Sequence, residues 1–486
     1  MIIKELTDEI TGYLVDASNY KGNCEKVFIP ESTNEVAPIV KECYLKGLSI
    51  HISGMGTGLT GGRVPENGVV ISTEKLNRIL RIDKEKLIAE VECGVILEVL
   101  HGELDKAGLY YPPDPTEQNS SIGGNISNNA SGAKTFKYGP TRDYVKGLKI
   151  ILPDGEVVNL LRGEVFEAEG KIALVSESGK RYNIPVMPIK MPGTKNAAGY
   201  YLKKGMDAVD LFIGSEGTLG FILSAELKLL SKPEEFISFI SFFESEADAL
   251  RFIEKIRAKS QLGEDNIDAL GIEFFDSNSL EFLRDNFPRI PQGTYSAVWI
   301  EQEVTSKSTD SIMEKYLEIL EDSSADLEKV WFATSGKERK EFHEFRHAVS
   351  WKVNDFISRN NIQKVGTDLA VPVENFLPFY EDCKDAVKDS GLNYLIYGHF
   401  GNCHIHLNML PKEENMYKTA KHIYGELCKK AVFYGGTISA EHGIGKIKRE
   451  YLKLLYNKNE IDAMRGVKKT LDPKNLFSPG NIFSDS

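Results

Sequence analysis

The chain has 486 residues, 59 basic and 71 acidic, for a formal net charge of −12. Its 41% hydrophobic and 27% charged composition is that of a globular protein and excludes a disordered chain. The acidic surplus argues against nucleic acid as the main partner, and no apolar run approaches the roughly 18 residues of a bilayer span. Glu5, Asp8 and Glu9 interrupt the opening MIIKELTDEI, which reads as the start of a helix rather than an export signal. The cysteines (Cys24, Cys43, Cys93, Cys383, Cys403, Cys428) form no CxxC pair. Their scatter fits a reducing cytoplasm and excludes an iron–sulfur cluster on clustered cysteines.

From residue 23 the chain alternates short β-rich runs with helical stretches. KVFIP (26–30) reads as a strand, 34–47 as a helix capped by Gly47, and LSIHISG (48–54) as a strand. Strands follow at 69–73, 87–95, 147–160 and 172–178, with turn signals such as Pro153-Asp154-Gly155 between them. Near Pro233 the rhythm changes. ISFISFF (237–243) precedes a helix at 244–260, IDALGIEFF (267–275) a short helix, and YSAVWIEQEV (295–304) a longer one. That order predicts an antiparallel sheet with helices on one face. From about 411 the chain reads as helical, with a Gly-rich interruption at 435–445.

Three loops rich in small residues stand out. GMGTGLTGG (54–62) has five glycines in nine positions, directly after a strand. Such a loop brings backbone N–H groups close to an anion. No Lys follows Gly61 or Gly62, so it is not a Walker A loop. Gly56, Gly58 and Gly61 match GxGxxG formally, and a tight structural turn is the competing reading. PPDPTEQNSSIGGNISNNASG (112–132) is crowded with side-chain amides and small residues, and reads as a long loop ordered around a polar ligand. IGSEGTLGFI (213–222) repeats the pattern, with Glu216 free to hold a ribose or another polar group. Three such loops within 23–230 imply one large ligand touched from several sides.

The C-terminal half carries a polar cluster. GHFGNCHIHLNM (398–409) places three of nine histidines within eight residues. His404 and His406, two apart on a strand, face one side, a geometry suited to a metal; a solvated polar strand is the alternative. SAEHGIGKIKRE (439–450) sets Glu441-His442 before Gly443 and Gly445, which reads as a turn presenting both side chains or as an acidic helix start. Arg346 in FHEFRHAVSW has the planar fork that grips a carboxylate, or is a surface residue of a charged helix; Ser350 lies one turn later on the same face.

Together GMGTGLTGG, 112–132, KNAAGYYL (195–202) and GSEGTLG (214–220) resemble the FAD-binding domain of the vanillyl-alcohol oxidase/p-cresol methylhydroxylase superfamily. The likeness runs through nearly the whole chain and is greatest to the D-2-hydroxyacid dehydrogenase branch: D-lactate and D-2-hydroxyglutarate dehydrogenases and the flavin subunit of glycolate oxidase. It implies an α+β flavoprotein. Its parts would be an N-terminal helical segment (1–22), a two-lobed PCMH-type FAD-binding domain (23–230), an antiparallel-sheet cap with helices on one face (231–430) and a C-terminal helical segment (431–486) packing on the FAD domain. By resemblance FAD is held by Gly54, Gly56, Thr57, Gly58, Leu59, Thr60 and Gly61, by Pro113, Asp114, Pro115, Ser120, Gly123, Gly124, Asn125, Asn128, Asn129, Ser131 and Gly132, and by Glu216, Gly217 and Gly220. Thr57 stands where some relatives carry a flavin-linked His, which implies a non-covalent flavin. Ser53 stands where relatives often carry Arg, which implies no charged FAD contact there.

The family pattern GHxGDGNxHxN and a later GEHGIG are matched by His399, His406, Asn408, Glu441 and His442. The resemblance therefore implies a divalent metal, zinc or a similar ion, on His399, His406 and Glu441, with His442 as base, Arg346 on the substrate carboxylate, and Asn408, Lys364 and Ser350 on the substrate side. Asn402-Cys403-His404 departs from the family's Asp-Gly-Asn; His404 remains a second candidate ligand and Cys403 a soft one. The implied activity is oxidation of a D-2-hydroxyacid to the 2-oxoacid. The metal assists hydroxyl deprotonation, His442 near its ordinary pKa of about 6.5 takes the proton, and hydride goes to flavin N5. Electrons would leave to a separate acceptor: an electron-transfer flavoprotein, a quinone or an iron–sulfur subunit. A cytoplasmic location is expected, and a homodimer is left open. The competing readings are a non-redox flavoprotein of the alkylglycerone-phosphate synthase type, a metal-dependent hydrolase on the His/Glu set, and a subunit without turnover of its own.

Overall fold

The first residues pair before they coil. In a computed structural model of the chain, which describes residues 1–484, Ile2–Lys4 is a strand antiparallel to Lys26–Ile29. Only Thr7–Ile10 of the expected N-terminal helix is α-helical. Lys26–Ile29, Val69–Ser72 and Ile50–Ser53 then run parallel, so this lobe is a four-stranded sheet. The helix Val36–Lys46 crosses between two of its strands and ends at Gly47, left-handed at φ 68°. The second lobe is a five-stranded antiparallel sheet in the order Ile79–Asp83, Ile88–Glu92, Phe221–Lys228, Val145–Ile151, Val157–Leu161.

The 112–132 segment is not loop throughout. Ile122–Asn128 is a short helix whose Ser121 side chain accepts from the Gly124 amide. Its Ile122 and Ile126 side chains are fully buried and anchor what looks polar in sequence.

The remaining large sheet has eight strands. Its main path runs Trp331–Phe332, Glu235–Phe243, Ser296–Val304, Ala269–Asp276, Asn393–His399, His404–Leu410, Val365–Gly366, all antiparallel, and Leu369–Ala370 also pairs with His404–Leu410. Helices cover both of its faces, not one. Phe239, Phe274 and Val298 pack with Phe252 and Ile256 of the helix Glu246–Leu262. Their strand neighbours Ile240, Phe275 and Trp299 pack with Phe345 and Val349 of the helix Gly336–Arg359. The reason lies in the strands: Ala269–Asp276 is buried at every position, so both faces need a cover. Among the described residues no helix is long and apolar enough to cross a membrane.

The C-terminal stretch returns to the first lobe. Ile50 donates to Leu476 and accepts from Ser478, so the tail runs beside the strand that leads into the 54–62 loop. The Lys446 amide donates to the Thr60 carbonyl, tying that loop to the Glu441–Gly445 turn.

Candidate active site

A deep cleft opens between the Gly-rich loops and the large sheet, with about 2060 Å³ of empty space counted to its mouth. One wall is Gly54, Gly56, Thr57, Gly58, Leu59 and Thr60, continued by Pro115, Ser120, Gly123, Gly124, Asn125, Asn128 and Ser131 and by Glu216 and Gly217. The other wall is Arg346, Ser350, Lys364, His406, Asn408, Glu441 and His442. The two sets of residues singled out from sequence thus meet across one cavity.

Six expected FAD contacts lie outside that lining. The Gly61 amide donates to Asp16, 2.7 Å away. Asp114 pairs with Lys134 at 2.9 Å, and its neighbour Pro113 is buried outside the lining. Asn129 caps the short helix, and its side chain accepts from the Arg142 amide. Gly132 packs against the Asp114 carbonyl, and Gly220 against Ile150. Glu216 borders the cleft, yet its carboxylate accepts from the Ile444 and Gly445 amides at 2.7 and 2.6 Å. It anchors the turn that carries Glu441 and His442. Burial pushes this carboxyl up to about 7 despite those two bonds.

The loop wall fits a dinucleotide. Among the described residues, the amides of Met55 through Thr60 donate to no protein acceptor. A run of open N–H groups in a Gly-rich turn is a nest for a diphosphate. Arg63 braces the loop from behind: its guanidinium reaches back to the Ser53 hydroxyl and the Gly54 and Val15 carbonyls. Sequence reasoning passed it over because it follows the loop instead of preceding it.

On the opposite wall the strand His404–Leu410 alternates. Ile405, Leu407 and Met409 enter the hydrophobic core, while His404, His406 and Asn408 face the cleft side. His399, on the neighbouring strand, sends Nε2 to within 3.2 Å of Glu441 Oε1, and His406 Nε2 lies 3.3 Å from the same oxygen. Each ring is oriented from behind. His399 Nδ1 contacts Glu273 at 2.6 Å, and His406 Nδ1 contacts the Thr367 carbonyl at 3.2 Å. With both Nδ1 atoms donating, two Nε2 lone pairs face a carboxylate oxygen, a donor set that could hold a cation. Ligands about 2.1 Å from a tetrahedral zinc stand roughly 3.4 Å apart, so these separations fit such an ion.

His404 belongs to the same group as His399, His406 and Glu441, whose ligand atoms all lie within 4.8 Å of one another, and it has partners of its own. Its Nε2 contacts Asp368 at 2.9 Å and its Nδ1 lies 3.4 Å from the Lys195 ammonium, although its ring is only 4.4 Å from that of His406. Lys195 binds the outer oxygen of Glu441, Oε2, at 2.7 Å, where Ser131 also donates. Burial works against an ionised Glu441, but Lys195 and then His399 outweigh it and hold the carboxyl well below its usual range. Cys403 points away from the cluster: Arg257 donates to its sulfur at 2.8 Å. The residue keeps the left-handed turn, φ 53°, where the family pattern has Gly.

Arg346 sits on the helix Gly336–Arg359 with Ser350 and Asn354 at successive turns along the same cleft-facing side. Its guanidinium donates to Glu273 at 3.2 Å and to Thr116. Glu273 therefore joins Arg346 to His399, and these two partners hold it ionised against its burial. Lys364, bonded to Asn354 at 3.0 Å, is pushed down to about 8 by burial. His442 is not near its ordinary value: burial takes it down to about 3, so the ring is neutral. Asp368, Glu273 and Lys195 escaped the sequence reading. The signal for the first two was a carboxylate set among apolar residues, Asp368 in KVGTDLAVP and Glu273 in IDALGIEFF.

Residues 232–482 match the family model described as FAD linked oxidases, C-terminal domain, and residues 24–161 match an FAD binding domain. The chain belongs to the FAD-linked oxidase family. This FAD-linked oxidase is 30% identical over 479 residues to the glycolate oxidase subunit GlcD of Bacillus subtilis, covering 97% of this chain and 92% of that one. It is 30% identical to a D-lactate dehydrogenase of Anaerostipes hadrus, covering 93% and 88%, and 29% identical to a D-2-hydroxyglutarate dehydrogenase of Stutzerimonas stutzeri, covering 94% and 90%. Its fold is shared with a crystal structure of alkyldihydroxyacetonephosphate synthase, with a TM-score of 0.68 at 18% identity over 98% of this chain and 82% of that one. The FAD-linked oxidase is thus an FAD-binding oxidoreductase of mixed α/β architecture.

Proposed function

We propose that this FAD-linked oxidase is a D-2-hydroxyacid dehydrogenase that converts a hydroxyacid of the lactate, 2-hydroxyglutarate or glycolate type to the 2-oxoacid. One observation carries the reading: a carboxylate-gripping guanidinium, a neutral imidazole and a His-His-Glu donor set converge on the cavity that the Gly-rich loops also line. The curated relatives, named for glycolate, D-lactate and D-2-hydroxyglutarate, support it.

Arg346, pinned by Glu273 and Thr116, presents its remaining N–H groups to the substrate carboxylate, and the Lys364 ammonium adds charge on the same wall. Asn408 donates from Nδ2 to Tyr397 and keeps a buried oxygen without a partner among the described residues, an acceptor for a substrate donor. His442 takes the hydroxyl proton as the α-hydrogen departs with its electron pair. Non-covalently bound FAD, with Thr57 beside it and no histidine in its loop, supplies the two-electron acceptor. A divalent cation such as zinc on His399, His406 and Glu441 supplies the positive charge that makes the hydroxyl more acidic.

The test is anaerobic. D- and L-2-hydroxyacids are added to the purified yellow protein and the flavin spectrum is followed. Bleaching by a D-2-hydroxyacid is expected; a flavin that none of them reduces ends the reading and favours the non-redox chemistry of the structural neighbour. Metal analysis before and after chelation tests the cation separately. Full activity after verified metal removal would sink its role.

A further inference from the structure

Behind the Glu441 carboxylate lies a second cavity, with about 950 Å³ of empty space counted to its mouth. It opens between the helix Glu246–Leu262, the turn 401–403, the loop 193–195 and the segment 371–373. It shares no lining residue with the cleft. Lys195 stands between the two: it lines the second cavity, while its ammonium binds Oε2 of Glu441, a residue of the cleft wall, at 2.7 Å.

The lining is basic, with Lys137, Lys195 and Arg257 against a single lining carboxylate, Asp268. Lys137 is neutralised by Asp268 at 2.8 Å and Glu303 at 3.0 Å, and Lys195 by Glu441. Arg257 is different. It is only 3% exposed, and among the described residues its one hydrogen bond goes to the Cys403 sulfur, a weak acceptor, at 2.8 Å. The Phe376 ring lies 5.4 Å from the guanidinium carbon, a second contact without a counter-charge. The other N–H groups of the fork are not sealed off by protein; they meet open space where the residue borders the cavity. Glu254 and Glu374 act on the neighbouring Cys403 through charge alone, and both are exposed.

A buried cation without a carboxylate is costly to keep. Arg346, Lys448 and Lys468, buried to a like degree, each hold one, and Lys446 has two neutral oxygens. Arg257 has neither. A guanidinium presents its donors as a planar fork matched to two oxygens of one anion. The Ser260 hydroxyl, which accepts from the Ala269 amide at 3.2 Å, keeps its own proton to donate on the same lining.

We propose that this cavity is a second ligand site, that it takes a small oxyanion, a carboxylate or a phosphate, and that Arg257 is its anchoring cation. The site goes beyond the hydroxyacid reading and does not depend on it. Its occupant sits on the far side of Lys195 from Glu441.

Calorimetry of the FAD-loaded holoenzyme tests it, with no hydroxyacid present. Selenate stands for a tetrahedral oxyanion and acetate for a carboxylate. Binding of at least one of them is expected, weakened by about tenfold or more in Arg257→Gln and by no more than about threefold in Arg346→Gln. Selenate alone would mark a phosphate-type ligand, acetate alone a carboxylate, and either outcome supports the site. Binding of neither overturns it, as does binding that Arg257→Gln leaves unchanged or that Arg346→Gln abolishes. If Arg257→Gln does not fold, a wild-type crystal soaked in the anion that bound decides. Density for the anion against Arg257 supports the proposal; density only at Arg346 or on the outer surface overturns it. A flavin that no hydroxyacid bleaches would fail the functional reading and leave this site standing, whereas a cavity that takes no anion in an active enzyme would fail only this proposal.

Discussion

The two walls of the cleft are built on opposite rules. On the loop wall the backbone is left open: among the described residues the amides of Met55–Thr60 have no internal acceptor, and glycines keep the space clear. On the sheet wall the ionisable groups are already engaged. Glu441 takes Lys195, Asp368 takes Lys448, and Glu273 takes Arg346. The first wall is completed by what binds to it. The second is organised before anything binds, because a buried charge without a partner costs too much to keep. Cofactor affinity should therefore reside in one wall and chemistry in the other, and changes in the two should separate.

The largest expected separation is at His442. Replacing it with Ala removes the proton acceptor and leaves the loop amides untouched. We expect kcat to fall by about 10²–10⁴-fold with flavin content equal to wild type, read by the visible spectrum and a saturating hydroxyacid assay. Turnover near wild type would remove His442 as the base. Loss of flavin along with activity would break the division between the walls.

A smaller effect of opposite kind is expected at Gly56. It sits at φ 79°, and a Cβ there would come within 2.3 Å of the Arg63 guanidinium. An L side chain in that region costs about 1–2 kcal/mol. Gly56→Ala should therefore weaken FAD binding by roughly 5–30-fold in a titration of the apoprotein, at about 1.4 kcal/mol per factor of ten. At saturating FAD its kcat should return to the wild-type level. A kcat that stays low would show that the loop also shapes the sheet wall.

The same division explains what the sequence made legible. Strands and the period-two face of His404–Leu410 follow from local pattern, and Gly-rich loops advertise themselves by composition. Arg346 and Ser350 share a helix face one turn apart, which spacing alone places together. Pairing across long separations is different. The bond between Glu216 and the Ile444 amide joins residues 228 apart, and nothing local to either one announces it. Helices on both sheet faces were legible in principle, since ISFISFF is apolar at five of seven positions with small Ser at the other two, but the β-α rhythm alone suggested one face. The shift of His442 to about 3 follows from burial that only the folded cleft creates.

The smallest effect is a pH dependence on the sheet wall. Burial lowers the Lys364 ammonium to about 8. It is charged below that value and neutral above it, so its attraction for a carboxylate is present at pH 7 and lost as pH rises through about 8. KM for the hydroxyacid should then rise above pH 8, by at most about tenfold per unit, while FAD binding stays level. In Lys364→Met the KM should be higher at pH 7 and flat across the same range. A wild-type KM that stays constant from pH 7 to about 9 would place the substrate carboxylate on Arg346 alone. The guanidinium holds its charge throughout, and the arginine's two fixed partners, Glu273 and Thr116, would then be the whole of the positioning apparatus at that end of the cleft.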